Sequence, residues 1–157
     1  MAVFAVFMTL GCGAGSGNAP GTTPSTASAG GTVAEDLTFT GPLAGHMGSA
    51  HRGDTYVCAN AGGSYVAGPI VGSVAGKEVV LNITKLSFKG AGTYEAGGVS
   101  FDAGSDHYYP ATGAQSSLVV NADMRSGTVN IDLAANSQPN SVVGHVSGTW
   151  RCPPDPF

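Results

Sequence analysis

The amino-acid sequence predicts an all-β protein, an antiparallel β-sandwich or β-barrel of about eight or nine short strands, preceded by a disordered tether. Beyond residue 36, apolar residues alternate with polar ones, which buries one face of each strand and leaves the other in water. Glycine at 25 of the 157 positions excludes a protein of long helices, because glycine destabilises helix interiors. Turn signals rich in Gly, Asn and Ser separate the alternating segments, as in sandwiches and barrels.

Taken in order, the alternating segments predict which residues face the core. The first contains Tyr56 and Cys58, which the alternation places on the same side of one strand. The later segments predict the core residues Val79, Leu81 and Ile83, then Val99 and Phe101, then Leu118 and Val120, then Val129, Ile131 and Leu133, and finally Val142, Val146, Trp150 and Cys152.

Charge and hydropathy exclude two further classes of protein. Only 10% of the residues are charged, and ten acidic residues outnumber six basic ones. This balance argues against binding to nucleic acid, which depends on clustered Lys and Arg. The sequence contains no run of about 20 apolar residues, the length that a transmembrane helix requires.

The first 34 residues carry no charged side chain and divide into two compositions. Residues 1–11 are almost wholly apolar and have the length of the hydrophobic region of a secretory signal. Residues 13–34 consist mainly of Gly, Ala, Ser, Thr and Pro, a composition that cannot bury enough apolar surface to fold. The junction Thr9-Leu10-Gly11-Cys12 places a small residue directly before a cysteine.

This junction resembles the lipobox of bacterial lipoproteins, and the resemblance implies a diacylglyceryl group on Cys12 and cleavage just before it. Thr9 stands where an aliphatic residue is commonest, and no Lys or Arg precedes the apolar run. We therefore expect the true start codon to lie upstream, or Met1 to be a late start. The alternative is an apolar start with a chance cysteine.

The resemblance implies three regions: a signal peptide over 1–11, the lipidated cysteine and tether over 12–36, and a β-sandwich domain over 37–157. It also implies an exported protein, anchored to the bacterial cell envelope through diacylglyceryl-Cys12, with its domain on the extracytoplasmic side. The plan as a whole is similar to that of mycobacterial 19-kDa-antigen-type lipoproteins.

The two remaining cysteines, Cys58 and Cys152, are expected to form a disulfide. Export permits disulfides, and two cysteines on predicted core faces suit one bridge. A metal pair or a catalytic thiol is the alternative, which no C-x-x-C spacing supports.

The segment FDAGSDHYYP, interpreted as a loop, supplies the candidate binding residues. Asp106, His107, Tyr108 and Tyr109 form a candidate ligand site, and Asp102 with Asp106 form a candidate Ca²⁺ site of two carboxylates around a turn. Both groups also fit a solvated acidic loop. Tyrosines that are exposed at the edge of a sandwich stack on sugars or line an apolar pocket, and more often pack at strand ends. Tyr65 and Tyr94 complete the aromatic set.

The segment GHMGSAHRGD gives a second cluster of chemical groups. His46, His51, Ser49 and Asp54 together contain the residue types of a catalytic triad. Because all four lie within ten residues, we interpret the segment as a polar loop, since a triad needs groups positioned separately by a scaffold. Arg52-Gly53-Asp54 within it matches the integrin-binding tripeptide.

No common enzyme signature is present: the sequence lacks the nucleophile elbow, H-E-x-x-H, the phosphate-binding loop and G-x-G-x-x-G. We therefore expect a non-catalytic binding or surface-structural module with no cofactor. Its partner would be a cell-surface or small-molecule ligand and not nucleic acid. The alternatives are a carrier of an apolar small molecule or glycan, and a hydrolase that acts on envelope material.

Overall fold

A computed structural model describes residues 31–155 of the chain. Within this range the regular structure is β, apart from one 3-10 turn at Gly41–Leu43. The strands are β1 (Val33–Phe39), β2 (Gly45–Ala61), β3 (Ser64–Val74), β4 (Lys77–Lys85), β5 (Gly92–Glu95), β6 (Val99–Ala103), β7 (Asp106–Pro110), β8 (Ser117–Val120), β9 (Ser126–Ala135) and β10 (Gly144–Arg151).

Eight of these strands form a closed antiparallel barrel. Hydrogen-bonded neighbours follow the order β1-β2-β3-β4-β6-β7-β9-β10, and β10 returns to pair with β1. The short strands β5 and β8 pair with each other, and β8 extends the sheet along the first half of β9. The all-β prediction is confirmed, and of the two architectures that the sequence left open the fold is the barrel.

Closure requires β1 and β10 to approach closely at Gly148. A side-chain carbon at this position would lie 1.8 Å from the main-chain oxygen of Asp36, and the Gly148 φ of +135° lies outside the range that other residues favour. Glycine is therefore the residue that lets the last strand pair with the first.

Most of the side chains that the alternation assigned to the core are buried, together with residues that it did not assign, such as Tyr65. Trp150, Tyr65 and Phe101 are the largest of the fully buried residues. Val142 is the exception to the prediction, because β10 begins only at Gly144 and Val142 lies in the preceding loop, 57% exposed.

Two predicted boundaries differ from the structure. β1 begins at Val33, so it takes in the last residues of the region assigned to the tether, including the buried Glu35. The segment GHMGSAHRGD, interpreted as a loop, belongs to β2, whose pairing with β3 shifts register between Arg52 and Val57. This irregularity, and a second one between Ala34 and Leu37 in the pairing of β1 with β2, break the alternation by which strands are recognised. The predicted signal peptide and Cys12 lie outside the described residues.

The antiparallel order gives the barrel two distinct ends. The end that we call the turn end carries the β1–β2, β3–β4, β6–β7 and β9–β10 connections. The opposite end, which we call the disulfide end, receives the chain at residues 31–32 and releases it at Cys152. Any segment that precedes residue 31 therefore joins the barrel at the end remote from the four turns.

The predicted Cys58–Cys152 disulfide is confirmed, and it ties β2 to the residue that follows β10. The two Cα atoms lie 6.2 Å apart, and the bond joins positions separated by 94 residues. The Tyr65 hydroxyl lies beside the bond, 3.7 Å from Cys58 Sγ and 3.9 Å from Cys152 Sγ. It donates a 2.9 Å hydrogen bond to the Met124 carbonyl, which holds the β8–β9 turn against the bridge.

We predict that removing the bridge lowers the free energy of unfolding by about 2 to 5 kcal/mol, because the unfolded chain regains the entropy of a long open loop. The test is urea unfolding of the Cys58→Ser/Cys152→Ser variant beside a Cys12→Ser variant that keeps the bridge. Equal midpoints for the two variants, or two free thiols in the purified protein, would contradict it.

Candidate functional site

The residues predicted to bind a ligand lie on a hairpin at the turn end. The segment FDAGSDHYYP is not a loop: β6 and β7 pair directly, with Asp102 opposite His107 and Ala103 opposite Asp106. Only Gly104 and Ser105 separate the strands, and the Gly104 φ of +66° suits such a tight turn. The hairpin was not recognised from the sequence because each of its strands is only five residues long.

Asp106, His107 and Tyr108 line a cleft of about 410 Å³ at the turn end, which we call the turn-end cleft. The β9–β10 loop and the 3-10 turn form its other walls. The remaining lining residues are Pro42, Ser105, Ala135, Asn136, Ser137, Gln138 and Val143. The lining offers hydroxyl, amide and carboxylate groups beside apolar side chains, and such groups can orient a ligand by hydrogen bonds.

Tyr108 differs from its prediction in exposure. It is 5% exposed, because it pairs with Phe101 on the inner face of the hairpin. Burial, and after it the nearby Asp106 carboxylate, raise the pKa of Tyr108. Tyr108 thus lines the cleft as an almost wholly buried side chain.

The other tyrosines are also placed by packing. Tyr65 is fully buried and stacks on Phe88, so it is not an edge residue. Tyr94 is half-buried, and its hydroxyl donates to the Gly90 carbonyl at 2.5 Å. The half-buried Tyr109 donates a 3.4 Å hydrogen bond to the Ala135 carbonyl and does not line the cleft.

The predicted calcium pair is not assembled. Asp102 and Asp106 occupy alternate sides of the β6–β7 hairpin, because their cross-strand partners are His107 and Ala103 respectively. The Asp102 carboxylate is instead engaged on both oxygens, with His107 Nδ1 at 2.6 Å and with Asn82 Nδ2 at 3.2 Å. Within residues 31–155, no three or more His, Cys, Asp or Glu side chains come together as metal ligands would.

The residues of the possible triad are spread along β2. His46 Nε2 lies 2.9 Å from Asp36 Oδ1 on β1, so its partner is neither Ser49 nor Asp54. The cluster was interpreted as a polar loop and is a strand with exposed polar residues. The tripeptide Arg52-Gly53-Asp54 is likewise part of β2, and the Arg52 guanidinium turns towards Pro153 and Asp155.

A second cleft, of about 750 Å³, lies on the side of the barrel where β7 and β8 diverge along β9. We call it the side cleft. Glu95, Ser117 and Asn130 form one row across β5, β8 and β9, because each is the cross-strand partner of the next. The Ser116 hydroxyl is enclosed here and has no hydrogen-bond partner among the residues that the structure describes. The row depends on strand pairing across long sequence distances, so the sequence alone gave no signal for it.

Comparisons of the chain with protein-family models, with curated proteins and with solved structures find no match. Among residues 31–155, no helix is long and apolar enough to cross a membrane.

The disulfide end contains one buried carboxyl group, Glu35, which sequence reasoning assigned to the tether. It is 4% exposed, and both of its oxygens accept the Arg151 main-chain N–H, at 3.0 and 3.1 Å. Burial raises the pKa of Glu35 to about 7, against the smaller lowering effects of the Arg151 amide and side chain. The alternation of Glu35 with Leu37 and Phe39 was the available signal for its inward orientation.

Glu35 makes the stability of the barrel depend on pH. In the unfolded chain the carboxyl ionises near pH 4.5, whereas in the folded chain it keeps its proton to about pH 7. The unfolded state therefore loses its proton first, and the free energy of unfolding falls as pH rises between these values. The fall is at most about 3 kcal/mol, because one pKa unit corresponds to about 1.4 kcal/mol.

We predict that Glu35→Gln flattens this pH dependence and stabilises the protein at pH 8 relative to the wild type. Urea unfolding at pH 5 and pH 8 measures it, and the exposed Glu95→Gln variant serves as the control that keeps the wild-type slope. Asp123 and Asp155 have lowered pKa values and act in the opposite sense, so their contribution is lost only at lower pH. Equal slopes for wild type and Glu35→Gln would contradict the assignment.

Proposed function

We propose that the chain is an exported bacterial lipoprotein, anchored through diacylglyceryl-Cys12, whose barrel is a non-catalytic binding module for a polar ligand. The single observation that carries the proposal is the Cys58–Cys152 bond. Structural disulfides persist in oxidising compartments and are rare in the reducing cytosol. The lipobox resemblance supplies the anchor that an exported domain of this plan would use.

The position of the turn-end cleft supports a binding role for an anchored protein. A segment that leads from Cys12 joins the barrel at residues 31–32, at the disulfide end. The turn-end cleft lies at the opposite end, so the barrel would present Asp106 and Tyr108 away from the membrane. The cleft offers hydroxyl, amide and carboxylate groups, which suit a glycan or another hydroxyl-rich ligand.

The filled interior favours this surface cleft over internal cargo. Eight-stranded barrels either fill their interiors with side chains or hold one small ligand there. In this barrel the inward positions are occupied by large buried residues, among them Trp150, Tyr65 and Met47. A carrier of apolar molecules would need these side chains to move. The pairing of His46 with Asp36, away from Ser49, gives no support to a hydrolase.

The anchor predicts a specific mass for the mature protein. Expressed in a bacterium with the genomic sequence upstream of Met1 retained, the protein should begin at Cys12 and carry acyl groups. Intact-mass measurement of the membrane fraction detects both features, and Cys12→Ser is the control that should lose the acyl mass. An unprocessed Met1 terminus in the soluble fraction would contradict the proposal.

The turn-end cleft predicts which residues respond to ligand. In a nuclear magnetic resonance titration with a panel of soluble oligosaccharides, we expect amide shifts at His107, Tyr108 and Asn136. Asp106→Asn should weaken binding about ten-fold, the effect of losing one hydrogen bond to a charged group. Glu95→Gln, in the side cleft, is the matched control and should bind as the wild type. Shifts confined to the side cleft would move the site there.

A further inference from the structure

The segment that follows β10 lies on the disulfide end, where its main chain accepts hydrogen bonds from side chains of the barrel. Three side chains donate to the Pro153 carbonyl: Arg52 Nη2 at 3.2 Å, Arg125 Nη2 at 3.2 Å and Tyr56 Oη at 3.4 Å. We call residues 153–155 the strap. Because Cys152 is held by the disulfide, the strap leaves the barrel from a fixed point.

The same two arginines also hold the carboxylate of the strap. Arg52 Nη2 lies 2.5 Å from Asp155 Oδ1, and Arg125 Nη1 lies 3.7 Å from Asp155 Oδ2. The partners differ greatly in exposure, since the Asp155 side chain is 74% exposed and that of Arg52 only 16%. The guanidinium is thus part of the barrel, whereas the carboxylate sits on it from the solvent side.

Arg52 is fixed independently of Asp155. Its guanidinium carbon lies 4.5 Å from the centre of the Tyr56 ring, and Nη2 is also bonded to Pro153. Arg52 Nε is enclosed and has no hydrogen-bond partner within residues 31–155. A guanidinium that is stacked and desolvated in advance loses little freedom when it binds a carboxylate. Arg125, 40% exposed, supplies the second positive charge beside it.

We propose that Arg52 and Arg125 form a carboxylate-binding site for an acidic peptide segment, which Asp155 occupies from within the chain. In the strap the arginines bind two acceptors, the Pro153 carbonyl, which follows the fixed Cys152, and the Asp155 carboxylate. An incoming segment replaces only the carboxylate, and an Asp between prolines matches Asp155 in its own sequence. The site lies at the disulfide end, away from the turn-end cleft, and does not depend on the proposed anchor or ligand.

The strap competes with any external peptide for this site. A carboxylate tethered by a short link acts at an effective concentration in the millimolar range. The wild-type protein therefore binds an external segment weakly, and the site becomes available when Asp155 loses its charge. The Asp155→Asn substitution keeps the size of the side chain and removes the carboxylate that fills the site.

The test is calorimetric titration of the full chain with the peptide acetyl-Pro-Pro-Asp-Pro-amide at low ionic strength. We expect Asp155→Asn to bind it about ten-fold more tightly than the wild type does, because the internal carboxylate that competes for the arginines is gone. The same peptide with Asn in place of Asp should not bind. Glu78→Gln, at an exposed carboxylate at the start of β4 on the turn end, is the control variant and should behave as the wild type.

Two further variants tie binding to the arginines. Adding Arg52→Gln or Arg125→Gln to Asp155→Asn should abolish binding; the more exposed Arg125 keeps the test decisive if the Arg52 variant fails to fold. A lower melting temperature for Asp155→Asn without peptide binding would overturn the proposal and make the strap a structural fastening only. Tighter binding of inorganic phosphate than of the peptide would overturn the assignment to acidic peptides.

Discussion

The pairing of the first strand with the last is the constraint on which the rest of the structure depends. β10 bonds to β1 on one side and to β9 on the other, so the sheet closes and those strands have no free edge. Gly148 permits this approach, because any side chain there would collide with the main chain of β1. The buried position of Glu35 depends on the same pairing, because its carboxyl oxygens can accept the Arg151 N–H only when β1 lies beside β10.

Closure also divides the molecule into two ends with different chemistry. The disulfide end is fastened by the Cys58–Cys152 bond and by the hydrogen bonds of Arg52 and Arg125 to Pro153. The turn end has no such covalent fastening within the described residues, and its cleft is lined by the β6–β7 turn and the β9–β10 loop. A rigid base and a loop-lined opposite face are the usual division between scaffold and recognition surface.

The fold class could be predicted from the sequence because most strands alternate without interruption, as in the run Val79, Leu81 and Ile83. The disulfide could be predicted because both cysteines fall on core faces. The extent of β2 could not be predicted from the sequence, because a register shift interrupts the alternation there. The Arg52–Asp155 pair and the row from Glu95 to Asn130 could not be predicted either, because contacts between residues distant in the sequence assemble them. Glu35 was missed because a charged residue on a core face contradicts the pattern used to find cores.

Hydrogen exchange of the main-chain amides tests the closed barrel most directly. If β10 pairs with both β9 and β1, the amides of β1 and β10 should exchange as slowly as those of the central strands β3 and β4, at the free energy of global unfolding. An open sheet would instead leave β1 and β10 as edge strands. The N–H groups of Thr38, Ser147 and Thr149 point across the β1–β10 pairing, in step with those of Thr40 and His145. Rapid exchange of these three amides, while those of β3 and β4 stay protected, would contradict the closed barrel.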